Sequence, residues 1–217
     1  MPDSAVIGYV HPGTVRAEFC ASLLAVCMEG KTAVDAVIAV GSGPNISTAR
    51  NMVARSFLED QPGTPWLFMC DTDMWFERDT IDRLIAAADP VDRPVVGALC
   101  YSQNTDSGGD DPYPTMYELT EPAPGEVAFI RYRTWPEDTL ARVAATGAAA
   151  LLIHRSVLER VEKHAGDKAA PWFRESVIGS RLVGEDLTFC LRCGSAGIPV
   201  HVHTGVKAGH MKTTMLI

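Results

Sequence analysis

Apolar residues along the chain switch between two spacings, and the switch recurs. Short apolar runs at AVIGYV (5–10), DAVIAV (35–40), WLFMCD (66–71) and PVVGALCY (94–101) have the length of buried strands. Between them, apolar positions recur every three or four residues, the period of a helix. Val15 to Met28 predicts one helix through Phe19, Leu23, Val26 and Cys27, with Gly30 marking its stop. A second helix is expected to start at Asn45 or Ser47, both good caps, and to run through STARNMVARSFLED (47–60). ERDTIDRLIAAAD (77–89) predicts a third, with Ile81, Leu84 and Ile85 on one face. His11-Pro12-Gly13, GSGPN (41–45) and Pro62-Gly63 are turn signals between these pieces.

Alternation of this kind argues for βαβ units and a parallel sheet, with ligand-binding groups gathered at the carboxyl ends of the strands. The pattern then changes. QNTDSGGDDPYP (103–114) reads as a polar loop, and TMYEL (115–119) and EVAFIRYR (126–133) alternate like antiparallel strands. ATGAAALLIH (145–154) is another apolar strand, followed by a short helix at RSVLERVEKH (155–164). EDLTFCLRCGSAG (185–197) predicts a helix closed by Gly197. IPVHVHTGV (198–206) is the last expected strand, and KAGHMKTTMLI ends the chain. No internal repeat or linker divides the sequence, so a single domain over 1–217 is expected.

Composition adjusts this picture little. Hydrophobic residues make up 47% and charged residues 21%, as in ordinary soluble proteins. A formal net charge of −8 weakens the case for a general phosphate-backbone binder, although Arg131, Arg133 and Arg142 could supply a local basic patch. No apolar run approaches the roughly 20 residues that span a bilayer, and MPDSAVIGYV lacks a signal layout. A cytoplasmic protein with no membrane partner is the expectation. The six cysteines, Cys20, Cys27, Cys70, Cys100, Cys190 and Cys193, are expected to be reduced and buried. Cys190 and Cys193 have CxxC spacing, but a lone pair carries little weight as a metal or redox motif.

The candidate chemistry lies in WLFMCDTDMWF (66–76), where an apolar run ends on Asp71 and Asp73. Like charges repel unless a cation or proton sits between them. Residues two apart on a strand face the same way, so both carboxylates can converge at the strand end. Hard oxygen ligands so placed suit Mg²⁺ or Mn²⁺, with substrate phosphates completing the shell. The plainer alternative is that Asp71 caps the next turn and Asp73 is solvated.

The surrounding motifs bear on that choice. STARN (47–51), FMCDTDMWF (68–76), ATGAAALLIHRSVLE (145–159), PWFRESVIGSRLVGEDLTFCLRCGSAG (171–197) and IPVHVHTGVKAGH (198–210) together resemble the GT-A glycosyltransferases. The likeness is to the family 2-like branch and its small phage-type members, and it extends over nearly the whole chain. It implies an α/β fold with a twisted, mostly parallel sheet flanked by helices and a small antiparallel extension. It also implies a Mn²⁺ or Mg²⁺ cofactor and a nucleotide-diphosphate sugar donor. Under it, Asp71, Thr72 and Asp73 form the DxD element holding cation and diphosphate, with Asp73 the direct ligand. His210 completes the metal shell, and His203 is its competitor. Arg50 and Asn51 match an ARN element near the nucleotide, and the His11-Pro12 loop lies where the base is cradled. Glu185 and Asp186 match the acidic pair that supplies a general base, Asp186 being the favoured member in an inverting reaction. Acidic residues also suit a helix start for dipole reasons alone. Trp75, Phe76, Trp172 and Phe173 are read as either sugar-facing or core. The implied acceptor is a hydroxyl on a phage structural protein, a glycan or a hydroxymethylated DNA base. Two rivals remain at this stage: a sugar nucleotidyltransferase, disfavoured by the Gly-poor loop HPGTVRAEF (11–19), and a non-catalytic nucleotide-binding or assembly protein.

Overall fold

The computed structural model describes residues 3–43, 45–103, 112–122, 126–179 and 181–212. Five elements lead to the central motif: β1 (Ser4–His11), α1 (Ala17–Glu29), β2 (Ala33–Gly41), α2 (Ile46–Asp60) and β3 (Trp66–Asp71). After it come β4 (Met74–Phe76), α3 (Thr80–Ala87), β5 (Val95–Ser102), β6 (Tyr113–Pro114), β7 (Met116–Thr120) and β8 (Ala128–Arg131). Next are β9 (Leu140–Val143), β10 (Ala145–Thr146), β11 (Ala150–His154) and α4 (Arg155–His164). The chain continues with β12 (Ser176–Ile178), β13 (Arg181–Val183), α5 (Glu185–Ser195) and β14 (Val200–His210).

The main sheet has the order β2-β1-β3-β11-β5-β14-β4. β1 is parallel to both β2 and β3, and β14 is parallel to β5. β11 runs antiparallel to both β3 and β5, so those two share a direction. β4 runs against β14. Five strands of the row therefore point one way while β11 and β4 reverse; off the row β6 and β9 run against β5 and β14, so the strands of one direction remain the majority of the nine. The antiparallel extension is a small sheet ordered β10-β7-β8, with a separate β12-β13 hairpin.

Apolar side chains fill both faces of the sheet, as near-continuous apolar strands require. On one face Ala49, Val53 and Phe57 of α2, Leu158 of α4 and Phe189 of α5 pack together. On the other, Phe19 and Val26 of α1 and Ile81 and Leu84 of α3 meet Phe68, Phe76 and Val96. Of the two expected caps for α2, Asn45 is the one used, its Oδ1 accepting from the Thr48 N–H at 3.1 Å. Among the described residues no helix is long and apolar enough to cross a membrane.

Three expectations need correction. ATGAAALLIH is not one strand but β10 and β11, broken at Gly147–Ala149. Cys20 and Cys27 are exposed on α1; only Cys70, Cys100, Cys190 and Cys193 are buried, all as free thiols. The last strand does not stop at Val206 but continues to His210. A bulge makes that continuation possible: His203 pairs with Ala98, yet Lys207 pairs with Leu99. Thr204 in the bulge accepts from the Thr139 N–H at 2.9 Å and donates to the Pro136 carbonyl at 2.8 Å. A Cβ on Gly205 would lie 2.7 Å from Asp138 Cγ, so only glycine fits there. Most of the expected 103–114 loop, residues 104–111, lies outside the described residues.

The seat of α2 on β1 is equally tight. A Cβ on Gly8 would press into Val53 Cγ1 and come within 3.0 Å of Leu67 Cδ1. Gly8→Ala is therefore expected to destabilise the protein by about 1–3 kcal/mol through overpacking. Urea unfolding should show a lower midpoint with an unchanged slope.

Candidate active site

The carboxyl ends of β1, β2 and β3 come together, with Val10 paired to Asp71 and His11 to Gly41. His11 and Pro12 lead out of β1. The His11 carbonyl accepts from the Ser42 N–H at 2.8 Å and its Nδ1 from the Gly13 N–H at 3.1 Å, while Pro12 is exposed. Thr72 is buried, donating from Oγ1 to the Val10 carbonyl at 3.4 Å. The Thr72 carbonyl in turn accepts from the Arg16 N–H at 3.2 Å, fastening the DTD turn to the start of α1.

Asp71 and Asp73 do not share a strand face. The chain leaves β3 at Asp71, turns through Thr72 and Asp73, and re-enters the sheet at Met74 in β4. The two carboxylates therefore do not converge as strand neighbours, and each finds its own partner. Asp71 Oδ1 accepts from Arg50 at 2.7 Å, and Asp73 Oδ2 lies 2.9 Å from His210 Nε2. β14 delivers His210 by pairing with β4, His210 opposite Met74, and the Met211 N–H donates to the Asp73 carbonyl at 2.8 Å. Burial raises the Asp73 pKa, but the His210 hydrogen bond and the nearby charges of His210 and Lys212 outweigh it and lower the value. The His210 pKa is raised, chiefly by the bond to Asp73, with burial opposing.

The donor set of this pair suits a divalent ion. His210 Nδ1 donates to the Tyr101 carbonyl at 3.0 Å, which aims Nε2 at the Asp73 carboxylate. One imidazole nitrogen and one carboxylate oxygen match the ligand types of Mn²⁺. Among the described residues no group of three His, Cys, Asp or Glu side chains converges for a metal. Two such ligands would leave the remaining positions to substrate oxygens and water. His203 is not part of this place: its Nδ1 accepts from the Gly205 N–H at 3.2 Å, and Arg83 and Asp138 are its charged neighbours.

Arg50 lies behind the turn with 3% exposure. One guanidinium nitrogen bonds Asp71 at 2.7 Å and the other bonds Glu185 at 2.5 Å. Burial works against its charge, but Asp71, Glu185 and Asp186 more than offset that and raise its pKa. Asn51 is spent on the protein as well. Its amide nitrogen donates to the carbonyls of Ser47 and Phe173, at 2.7 and 2.6 Å. Its Oδ1 accepts from the Trp172 and Phe173 N–H groups at 3.2 and 3.4 Å. The geometry thus turns the ARN element toward carboxylates and backbone rather than toward an open nucleotide pocket.

The acidic pair opens α5 after Gly184, and its two members differ. Glu185 is held by Arg50, with a side chain 12% exposed. Asp186 makes no ion pair among the described residues, and its Oδ1 accepts from the Leu187 N–H at 2.7 Å. Its Oδ2 lies over Gly147, where a Cβ would be 3.5 Å away and a similar distance from Thr115. Burial raises the Asp186 pKa, Arg50 opposing and Glu185 adding to the rise. Tyr117 stands near enough to feel this charge; burial is the larger reason its phenol is pushed up to about 12.

The remaining candidates sort by burial. Trp172, Phe173 and Phe76 belong to the core, with Phe173 stacked on Phe189 at a centroid distance of 4.7 Å. Trp75 is 42% exposed. Cys190 faces Thr146 through a long sulfur contact of 3.5 Å, and burial pushes its thiol up to about 12, which suits packing rather than chemistry. Sequence reasoning overlooked Tyr101, Tyr117 and Lys212. The signal for Lys212 was present in its spacing two residues after His210, which places both on one side of an extended chain.

No protein-family model and no curated protein sequence matches the chain. In three dimensions it is similar to A197 from STIV, with a TM-score of 0.64 and 16% identity over 97% of this chain and 86% of that one. It is also similar to GalNAc-T7 in a structure with UDP, GalNAc and Mn²⁺, with a TM-score of 0.59 and 10% identity. That match takes in 96% of this chain and 44% of GalNAc-T7. At these identities the shared property is the fold, and the fold of this chain is GT-A.

Arg50→Met leaves Asp71 and Glu185 without the buried charge between them. The expected loss is about 3–5 kcal/mol of folding stability. Chemical denaturation of the wild type and variant checks it; a change below about 1 kcal/mol would mean the carboxylates find other partners.

Proposed function

We propose that the chain is a metal-dependent glycosyltransferase, moving a sugar from a nucleotide-diphosphate donor to an acceptor hydroxyl with inversion. The observation that carries this reading is the division of labour among four acids. Arg50 pairs with both Asp71 and Glu185, leaving Asp73 beside His210 as a ligand pair and Asp186 as an uncommitted carboxylate. The GT-A fold and the carboxyl-end location of the cluster support it.

Asp73 Oδ2 and His210 Nε2 hold the divalent ion in this reading, and His11 and Pro12 border the nucleotide. When bound, that ion supplies a Lewis acid against the charge developing on the leaving diphosphate. Asp71 and Thr72 shape the turn rather than ligate, and Arg50 and Asn51 position their neighbours from behind. Asp186 is the base. Its Oδ2 accepts the proton of the acceptor hydroxyl as the hydroxyl oxygen bonds to the anomeric carbon and the bond to diphosphate breaks. Burial keeps the carboxylate basic enough for that transfer, and the Leu187 N–H fixes its orientation. Glu185, tied to Arg50, is not free to take this role.

Two variants test the assignments. Asp73→Ala should abolish Mn²⁺-dependent hydrolysis across a panel of nucleotide sugars, and full activity in that variant would refute the metal assignment. Asp186→Asn should lower transfer at least about 100-fold, the usual range for a lost general base. Because the folded-state pKa of Asp186 is raised, its ionised form costs stability above that pKa, and the cost disappears as pH falls through it. Asn carries no such cost, so the thermal midpoint at neutral pH should equal or exceed that of the wild type. Retained transfer in Asp186→Asn would reassign the base. No turnover and no metal-dependent donor binding across the panel would overturn the glycosyltransferase reading.

A further inference from the structure

The chain carries a positive charge of its own at the Asp73–His210 position. Lys212 Nζ lies 2.5 Å from His210 Nε2 and 4.0 Å from Asp73 Oδ2. These are the two atoms assigned above to the divalent ion. The approach is built into the backbone, because the Met211 N–H is bonded to the Asp73 carbonyl at 2.8 Å and sets the next residue beside the turn. The Lys212 side chain is 46% exposed, against 40% for Asp73, so water reaches the ammonium and it can leave. Lys212 also lines a cleft of about 200 Å³ with Tyr101, Ser102, Gln103, Pro112 and His210.

An ammonium and a divalent ion cannot occupy the same few ångströms: like charges repel, both are drawn to the Asp73 carboxylate, and both need the Nε2 lone pair that His210 offers only when neutral. We propose that Lys212 is an internal cation that competes with the divalent ion for Asp73 and His210, and that turns to a phosphate oxygen of the donor once the ion is seated. The proposal rests on the metal assignment made above for the same two residues. Its consequence is coupling: ion and diphosphate each bind better when the other is present, because the diphosphate gives the displaced ammonium a partner.

Mn²⁺ binding to the full chain without nucleotide, measured by titration calorimetry, tests the first half. Lys212→Met should bind Mn²⁺ about threefold more tightly than the wild type, the scale of one partly exposed charge interaction. Lys212→Arg, which keeps the charge, should stay near the wild type, and added salt should shrink the gap. Equal or weaker binding by Lys212→Met overturns the competition. Inorganic pyrophosphate with Mn²⁺ tests the second half, where Lys212→Met should bind less tightly than the wild type; equal affinity overturns the transfer to phosphate. The two readings fail differently. Mn²⁺ bound equally by wild type and Lys212→Met, but lost in Asp73→Ala, sinks the Lys212 proposal alone. Mn²⁺ bound by none of them sinks the metal assignment with it.

Discussion

A guanidinium with 3% exposure between two carboxylates is the constraint on which the site depends. Three acids, Asp71, Glu185 and Asp186, act on Arg50, and their mutual repulsion in a poorly solvated place would otherwise drive them apart or protonate one. Arg50 joins three separate pieces of chain: its own helix α2, the end of β3 and the start of α5. The planar fork suits this task, since its two terminal nitrogens reach different carboxylates while a lysine would offer a single point charge. The charge of Arg50 also decides what is left over. Two acids are satisfied, one remains available, and Asp73 lies beyond its reach with a histidine of its own.

The helix that carries Arg50 is itself tightly placed. Gly8 lets α2 approach β1, and Asn51, next in sequence, is bonded to the backbone at Trp172 and Phe173. A surface arginine could wander among rotamers; this one is fixed by packing on both sides of its α-carbon. The sheet does the same for the other half of the site. β14 reaches Asp73 only because it bulges at His203–Lys207 and then pairs with β4.

Much of this was readable in the one-dimensional pattern, and the failures share a cause. Strands and helices followed from apolar spacing, and their mostly parallel order followed from the early alternation. The DTD acids, the acidic pair and His210 were visible as residue types near strand and helix ends. What the sequence concealed was pairing across distance. Asp71 meets Arg50 over a gap of 21 residues and Asp73 meets His210 over 137, and no local period encodes either contact. Spacing placed Asp71 and Asp73 on one face because it assumed a continuing strand, whereas the chain turns between them. Arg50 and Asn51 were expected beside the nucleotide because they match an ARN element of the resembled family; here their bonds go to the protein. β14 was expected to end at Val206, yet Gly205 lets the strand pass Asp138 and continue to His210.

That bulge separates folding from chemistry along a single strand. Val200–His203 is registered against β5 and β9, and Lys207–Ala208 against β5 again after the slip. Side chains alternate on a strand, so losing or gaining one residue inside the slip would turn His210 to the opposite side and leave the first ladder intact. The protein can therefore retain its core and its sheet while its candidate metal ligand is switched in or out by the length of one short segment. Among chains of this shape, the presence of the sheet says little about the presence of the ligand; the residue count across the bulge says more.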